Sequence, residues 1–169
     1  MSKVAVIIDE MFEDSEYTEP AKAFKEAGHD VIHIGMEAGA EVKGKKEGTP
    51  VKIDKSIKDV SADEFDALLI PGGYSPDRLR AHKAPVKFAG AFMDKDKPVF
   101  SICHGAQLLI SAKKLEGRKA TGWKSIVQDI KYAGAEYQDK EVVVDGNLVT
   151  SRQPGDLPAF IRESLAKLK

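Results

Sequence analysis

Three short runs of the chain, Val4 to Ile8, Ala67 to Ile70 and Val99 to Ile102, are almost continuously apolar instead of alternating. Strands covered by helices on both faces read this way, so the runs predict the central strands of a mainly parallel sheet. After the first run, Tyr17, Ala21, Phe24 and Ala27 share one helical face, and Gly28 supplies the left-handed residue that ends a helix. Asp30 to Gly35 resumes as a strand. Residues 36–50, rich in Gly, Lys and Glu, read as a loop or edge excursion before a short strand at Val51-Lys52-Ile53. Later, Gln107 to Ile110 suits a buried helix, and a helix over roughly 124–133 stops at Gly134, with a further strand expected beyond it. Two strand-like runs, Glu141 to Val144 and Leu148 to Ser151, flank Asp145-Gly146-Asn147, whose turn chemistry closes a β-hairpin. Leu157, Phe160, Ile161, Leu165 and Leu168 form the apolar face of a last helix, with Asp156 as its expected N-cap.

The fold class is therefore α/β, with helices on both faces of a mainly parallel sheet and a hairpin near the C-terminus. At 169 residues and 42% hydrophobic content, a single domain over residues 1–169 is expected, burying about 70% of the unfolded surface. The 26 basic and 27 acidic side chains nearly cancel, to a net charge of −1, so electrostatics favours neither a nucleic-acid partner nor an anionic membrane. The apolar run near the N-terminus is too short for a signal peptide or a membrane span, and the expected location is cytoplasmic. The one cysteine, Cys103, has no internal disulfide partner. That suits a reducing compartment and leaves either a small buried hydrophobe or a reactive thiol.

In an open α/β sheet, ligands bind beyond the carboxyl ends of the strands. The three apolar runs end in Asp9-Glu10, with Glu13 soon after, in Pro71-Gly72-Gly73, and in Cys103-His104-Gly105. Ser101-Ile102-Cys103-His104-Gly105 has the order of a nucleophile elbow: strand, reactive residue, small residue, helix. A helix N-terminus behind Cys103 would depress the thiol and leave it largely thiolate at neutral pH. Gly72 and Gly73 lack side chains, so a backbone N–H there can approach a developing oxyanion closely. Of the acidic residues that crowd the next helix, Glu10, Asp14, Glu16 and Glu19 read as solvated compensation of the helix dipole. Glu13 reads as a carboxyl facing the thiol, its own pKa raised, able to donate a proton to sulfur. Trp123 either lines the mouth of a pocket or caps the core. His29 and His33 lie either side of a helix end and share no helical face, so no metal site is expected.

These motifs resemble the PfpI intracellular peptidase family, within the parkinsonism-associated deglycase superfamily. The resemblance spans nearly the whole chain and rests on Phe12-Glu13-Asp14 with Glu16, on Phe65 to Gly73, on Ser101 to Gly105, on Gly117-Arg118-Lys119, and on Val142 to Asn147 leading to Thr150-Ser151-Arg152. It implies a three-layer, flavodoxin-like sandwich of the class I glutamine-amidotransferase type. Cys103 would be the nucleophile with His104 beside it, and Glu13 the carboxylic acid hydrogen-bonded to the cysteine. Backbone N–H groups of Gly73 and His104 would form the oxyanion hole. In the peptidase branch, Asp77 of a neighbouring subunit would complete the triad, so a homo-oligomer, a dimer or hexamer, is expected. The chain departs from the family pattern at Ala106, where proline commonly follows Cys-His-Gly, at Asp77, which is shorter than the usual glutamate, and in the Lys45-Lys46-Glu47-Gly48 loop, which lacks a histidine that relatives often carry.

The leading expectation is a stress-response enzyme whose Cys103 attacks 2-oxoaldehydes or their protein adducts, in the manner of a glyoxalase or deglycase. Its partners would be small carbonyl compounds or modified proteins and peptides, and it would need no cofactor. A cysteine peptidase with a Cys103-His104-Asp77 triad is the first alternative. A redox-sensing chaperone that uses oxidised Cys103 is the second.

Overall fold

A computed structural model describes residues 1–169. The chain runs β1 (Lys3–Ile7), α1 (Asp14–Glu26), β2 (Asp30–Gly35), β3 (Glu41–Lys43), β4 (Pro50–Lys52), β5 (Lys55–Ser56), β6 (Ala67–Ile70), α2 (Ser75–Leu79), α3 (Lys83–Asp94) and β7 (Val99–Ile102). It continues through α4 (Ala106–Ser111), β8 (Lys119–Ala120), α5 (Val127–Tyr132), β9 (Glu136–Tyr137), β10 (Val143–Asp145), β11 (Leu148–Ser151) and α6 (Leu157–Lys167). One seven-stranded sheet has the order β10-β11-β7-β6-β1-β2-β5. All neighbours are parallel except β10 and β11, the hairpin at Asp145-Gly146-Asn147, where Gly146 takes φ +57°.

The unalternating strands work as expected. In β1, Ala5 and Ile7 join Leu68 and Ile70 of β6 against Phe88 and Phe92 of α3 and Leu108 and Leu109 of α4. On the opposite face, Val4 and Val6 join Ala67 and Leu69 against Tyr17 and Phe24 of α1 and Phe160 of α6. The result is a three-layer, flavodoxin-like α/β sandwich. It places β7, β6 and β1 side by side at its centre, so the segments that follow these strands meet at one edge.

Two details differ from the sequence reading, and the strand expected after Gly134 gains its place. Residues 36–50 are more than a loop, because β3 and β4 pair as a small antiparallel hairpin outside the main sheet. The strand after Gly134 joins a second small sheet, parallel to β8. Asp156 occupies the N-cap position of α6, but its carboxylate does not cap the helix. It accepts from the guanidinium of Arg152 instead, at 2.9 and 3.0 Å.

Phe24 is fully buried, with its ring centroid 5.7 Å from that of Phe100 across the layer between α1 and the sheet. Phe24→Ala is expected to cost about 3–5 kcal/mol of stability. Urea unfolding of the purified variant checks this, and a loss under about 1 kcal/mol would contradict the packing described.

Candidate active site

Cys103 follows the last residue of β7 with φ +61°, a left-handed conformation that is rare for a residue with a Cβ. A single 3-10 turn, Cys103–Gly105, then leads into α4. Gly105 is required here: a Cβ would stand 2.6 Å from the Ile70 carbonyl oxygen and 2.7 Å from Ser101 Oγ. The backbone N–H groups of His104 and Gly73 both point at the Cys103 sulfur. Gly73 owes its position to a clip between two loops, in which the Tyr74 N–H donates to the Met11 carbonyl at 2.9 Å and the Glu13 N–H to the Gly72 carbonyl at 3.2 Å.

The carboxyl beside the thiol is that of Glu16, not Glu13. Glu16 is fully buried in the first turn of α1, where Oε1 accepts from the Gly72 N–H at 2.9 Å. Oε2 has no hydrogen-bond partner, and the carboxyl lies beside the Cys103 side chain, with Glu16 Oε1 and Cys103 Cβ both within 3 Å of the place a Gly72 Cβ would take. Burial, and then the negative charge of Glu13, push the Glu16 pKa up to about 8. Glu13 instead makes two ion pairs, Oε2 to Lys45 Nζ at 3.1 Å and Oε1 to Lys46 Nζ at 2.9 Å. The loop that carries these lysines is tied down by Asp14, whose carboxylate accepts from the N–H groups of Lys46 and Thr49 at 2.9 and 3.1 Å. These hydrogen bonds outweigh the cost of burial and hold the Asp14 pKa at about 2. At Gly44, a Cβ would collide with that carboxylate.

The expected depressed thiol is also corrected. Burial and the nearby Glu16 raise the Cys103 pKa to about 12, against the opposing effect of the two backbone N–H groups. The short turn and six-residue α4 behind Cys103 do not outweigh desolvation next to two acidic side chains. His104 Nδ1 lies 3.4 Å from the sulfur, and Nε2 lies 3.3 Å from Ser125 Oγ. Burial, and then Lys45, lower the His104 pKa, so its ring is a neutral base in the physiological range.

A cavity of about 410 Å³ opens over these groups, lined by Glu13, Glu16, Lys45, Lys46, Gly73, Tyr74, Cys103, His104, Trp123 and Pro154. Trp123 is thus on the cavity wall, and its backbone N–H donates to the Cys103 carbonyl at 3.1 Å. Gly72 is not on the wall. It lies behind it as the donor to Glu16, and a Cβ there would run into the Glu16 carboxyl and stand 2.9 Å from Cys103 Cβ. Asp77 is exposed in α2 and makes no hydrogen bond to His104 within the chain; it acts on the imidazole through space, favouring its protonation. His29 and His33 lie apart from this site: His29 accepts from the Ser2 N–H, and His33 sits between Tyr17 and Asp54.

A family model for the DJ-1/PfpI family matches residues 2–167. The chain belongs to the DJ-1/PfpI family. It is 61% identical over 168 residues to General stress protein 18 of Bacillus subtilis, covering 99% of this chain and 98% of that one. It is 58% identical over 167 residues to Protein/nucleic acid deglycase 2 of Escherichia coli, covering 98% and 97%. Among solved structures, a two-domain protein from Anabaena variabilis with DJ-1/ThiJ/PfpI-like and ferritin-like domains superposes with a TM-score of 0.97 at 40% identity. The match covers 99% of this chain but spans only 48% of that longer protein. What sequence reasoning missed here was Glu16, although it lies on the stripe of Tyr17, Pro20, Ala21 and Phe24 that α1 buries. An acid at i−4 and i−8 from buried residues was the available signal.

Because Glu16 holds its proton more tightly when folded, the native state binds more protons than the unfolded chain between about pH 4.5 and pH 8. Its contribution to stability is therefore fully present below that window and is lost as pH rises through it. Glu16→Gln, which mimics the neutral acid, is expected to flatten the fall in stability between pH 5.5 and pH 8.5. Equal slopes for wild type and variant in urea unfolding would contradict the buried neutral acid.

Proposed function

We propose that this protein is a cysteine-dependent enzyme of the glyoxalase or deglycase type, acting on 2-oxoaldehydes or on their adducts with proteins. The observation that carries this reading is the convergence on one sulfur of a buried acid, a neutral imidazole and two backbone N–H donors. The deglycase name of the Escherichia coli relative and the stress-protein name of the Bacillus subtilis relative agree with it. The first name also includes nucleic acid. The near-zero net charge argues against a strong field for the phosphate backbone, but it does not bear on whether a modified base reaches the thiol.

In this reading, Cys103 works as the tip of a nucleophile elbow. The high pKa of the thiol means that the proton leaves during attack, not before it. Sγ adds to the aldehyde carbon while the thiol proton passes to His104 Nδ1, and the carbonyl oxygen gains the electron pair next to the N–H groups of Gly73 and His104. Glu16, in its neutral form, keeps a second negative charge away from the sulfur as the thiol proton leaves. Moving the carbon-bound proton to the adjacent carbonyl carbon through an enediol turns the hemithioacetal into a 2-hydroxyacyl thioester. Water then releases the 2-hydroxy acid and restores the thiol.

Consumption of methylglyoxal by the purified protein tests this reading. Cys103→Ser is expected to reduce the rate to that of buffer, and His104→Ala to lower kcat by about 10²–10⁴-fold. Unchanged consumption by Cys103→Ser would overturn the proposal. The peptidase reading needs Asp77 from a second subunit beside His104. Peptide cleavage that disappears in Asp77→Ala, with methylglyoxal inert, would favour it instead.

A further inference from the structure

The cavity wall carries an unbalanced set of charges. Two ammonium groups, Lys45 Nζ and Lys46 Nζ, share the single carboxylate of Glu13, one on each oxygen. Three other titratable groups on the wall, Glu16, Cys103 and His104, have their charged forms disfavoured by burial. Asp14 adds a negative charge, but its oxygens face the backbone N–H groups of the 46–49 segment and not the cavity. Outside the rim, Asp77 is exposed, Lys124 lies over the Trp123 ring at 5.3 Å, and Asp9 pairs with Arg78 at 3.6 Å. The lysines also reach the reacting centre electrostatically: Lys45 acts on both Glu16 and His104, the groups that flank the thiol. It is oriented by the Tyr74 ring, 5.3 Å from its Nζ. The Lys46 side chain is 65% exposed, so its ammonium can turn from Glu13 to an incoming ligand at little cost.

We propose that Lys45 and Lys46 are specificity-determining residues that bias the Cys103 cavity toward carbonyl compounds bearing a carboxylate close to the reacting carbon. This deepens the carbonyl reading of the site and rests on it for the chemistry. A carboxylate entering beside Glu13 gives the two ammonium groups two anionic partners, whereas a neutral compound of the same shape leaves one positive charge uncompensated in a site partly shielded from water.

The experiment compares two alkylating probes of nearly the same shape, anionic iodoacetate and neutral iodoacetamide, on the full-length protein. Cys103 is the only thiol, so loss of free thiol reports on this site alone. The readout is the ratio of the iodoacetate rate to the iodoacetamide rate, which cancels changes in the thiol itself and requires no turnover. Relative to wild type, Lys46→Met is expected to lower the ratio about fivefold, and Lys45→Met combined with Lys46→Met to lower it further, as Glu13 is left facing the cavity without a cation. In wild type, raising salt to about 1 M, where the screening length falls to roughly 3 Å, should lower the ratio in the same direction without any substitution. A ratio that is the same in wild type and both variants, and insensitive to salt, overturns the proposal. A protein that passes this test but consumes no 2-oxoaldehyde would retain the anion preference and lose the carbonyl function, so the two failures are distinguishable.

Discussion

The site depends on one buried contact, the Glu16 carboxyl set between the Gly72 N–H and the Cys103 thiol. A carboxylate removed from water at this depth is costly unless it is paired, and the nearest cations are taken by Glu13. The low-energy form is the neutral acid, which lies beside the sulfur and accepts from one amide. Much of the local architecture follows from making room for this contact. Gly72 has no side chain because one would occupy the place of the carboxyl, and Gly105 is bare because the turn presses on Ile70 and Ser101. The left-handed backbone at Cys103 aims the sulfur at Glu16 and at the two amides that converge there.

A second layer of order surrounds this contact and makes the cavity selective. Asp14, one residue after Glu13, holds the 44–49 loop by its amides, and that loop delivers Lys45 and Lys46 to Glu13. Three neighbouring acids of α1 and its N-cap therefore do three different things. Asp14 organises a loop, Glu13 collects cations, and Glu16 stays neutral beside the thiol. Environment, not residue type, separates their roles.

The parts of this arrangement legible in the sequence are those written as local pattern. Continuous apolar runs identify β1, β6 and β7, and the rule that ligands gather beyond parallel strand ends brings Gly73 and Cys103 to one edge. The Asp145-Gly146-Asn147 hairpin followed from turn chemistry alone. Glu16 was misread because a carboxylate in the first turn of a helix is most often solvated compensation of the dipole; only the tertiary packing of α1 on the sheet turns that position inward. The thiol was expected to be acidic because the helix N-terminus was weighed without the desolvation that the fold imposes. The lysine loop was invisible for a similar reason. Its anchor, Asp14, lies more than thirty residues away in the chain, and periodicity carries no information about such a partner.

The neutral Glu16 beside Cys103 is the claim on which the rest stands, and infrared difference spectroscopy of wild type against Glu16→Gln addresses it directly. At pH 6 the difference spectrum should contain the carbonyl stretch of a protonated carboxylic acid, converting to carboxylate bands as pH passes through about 8. A spectrum containing only carboxylate bands at pH 6 would contradict the account.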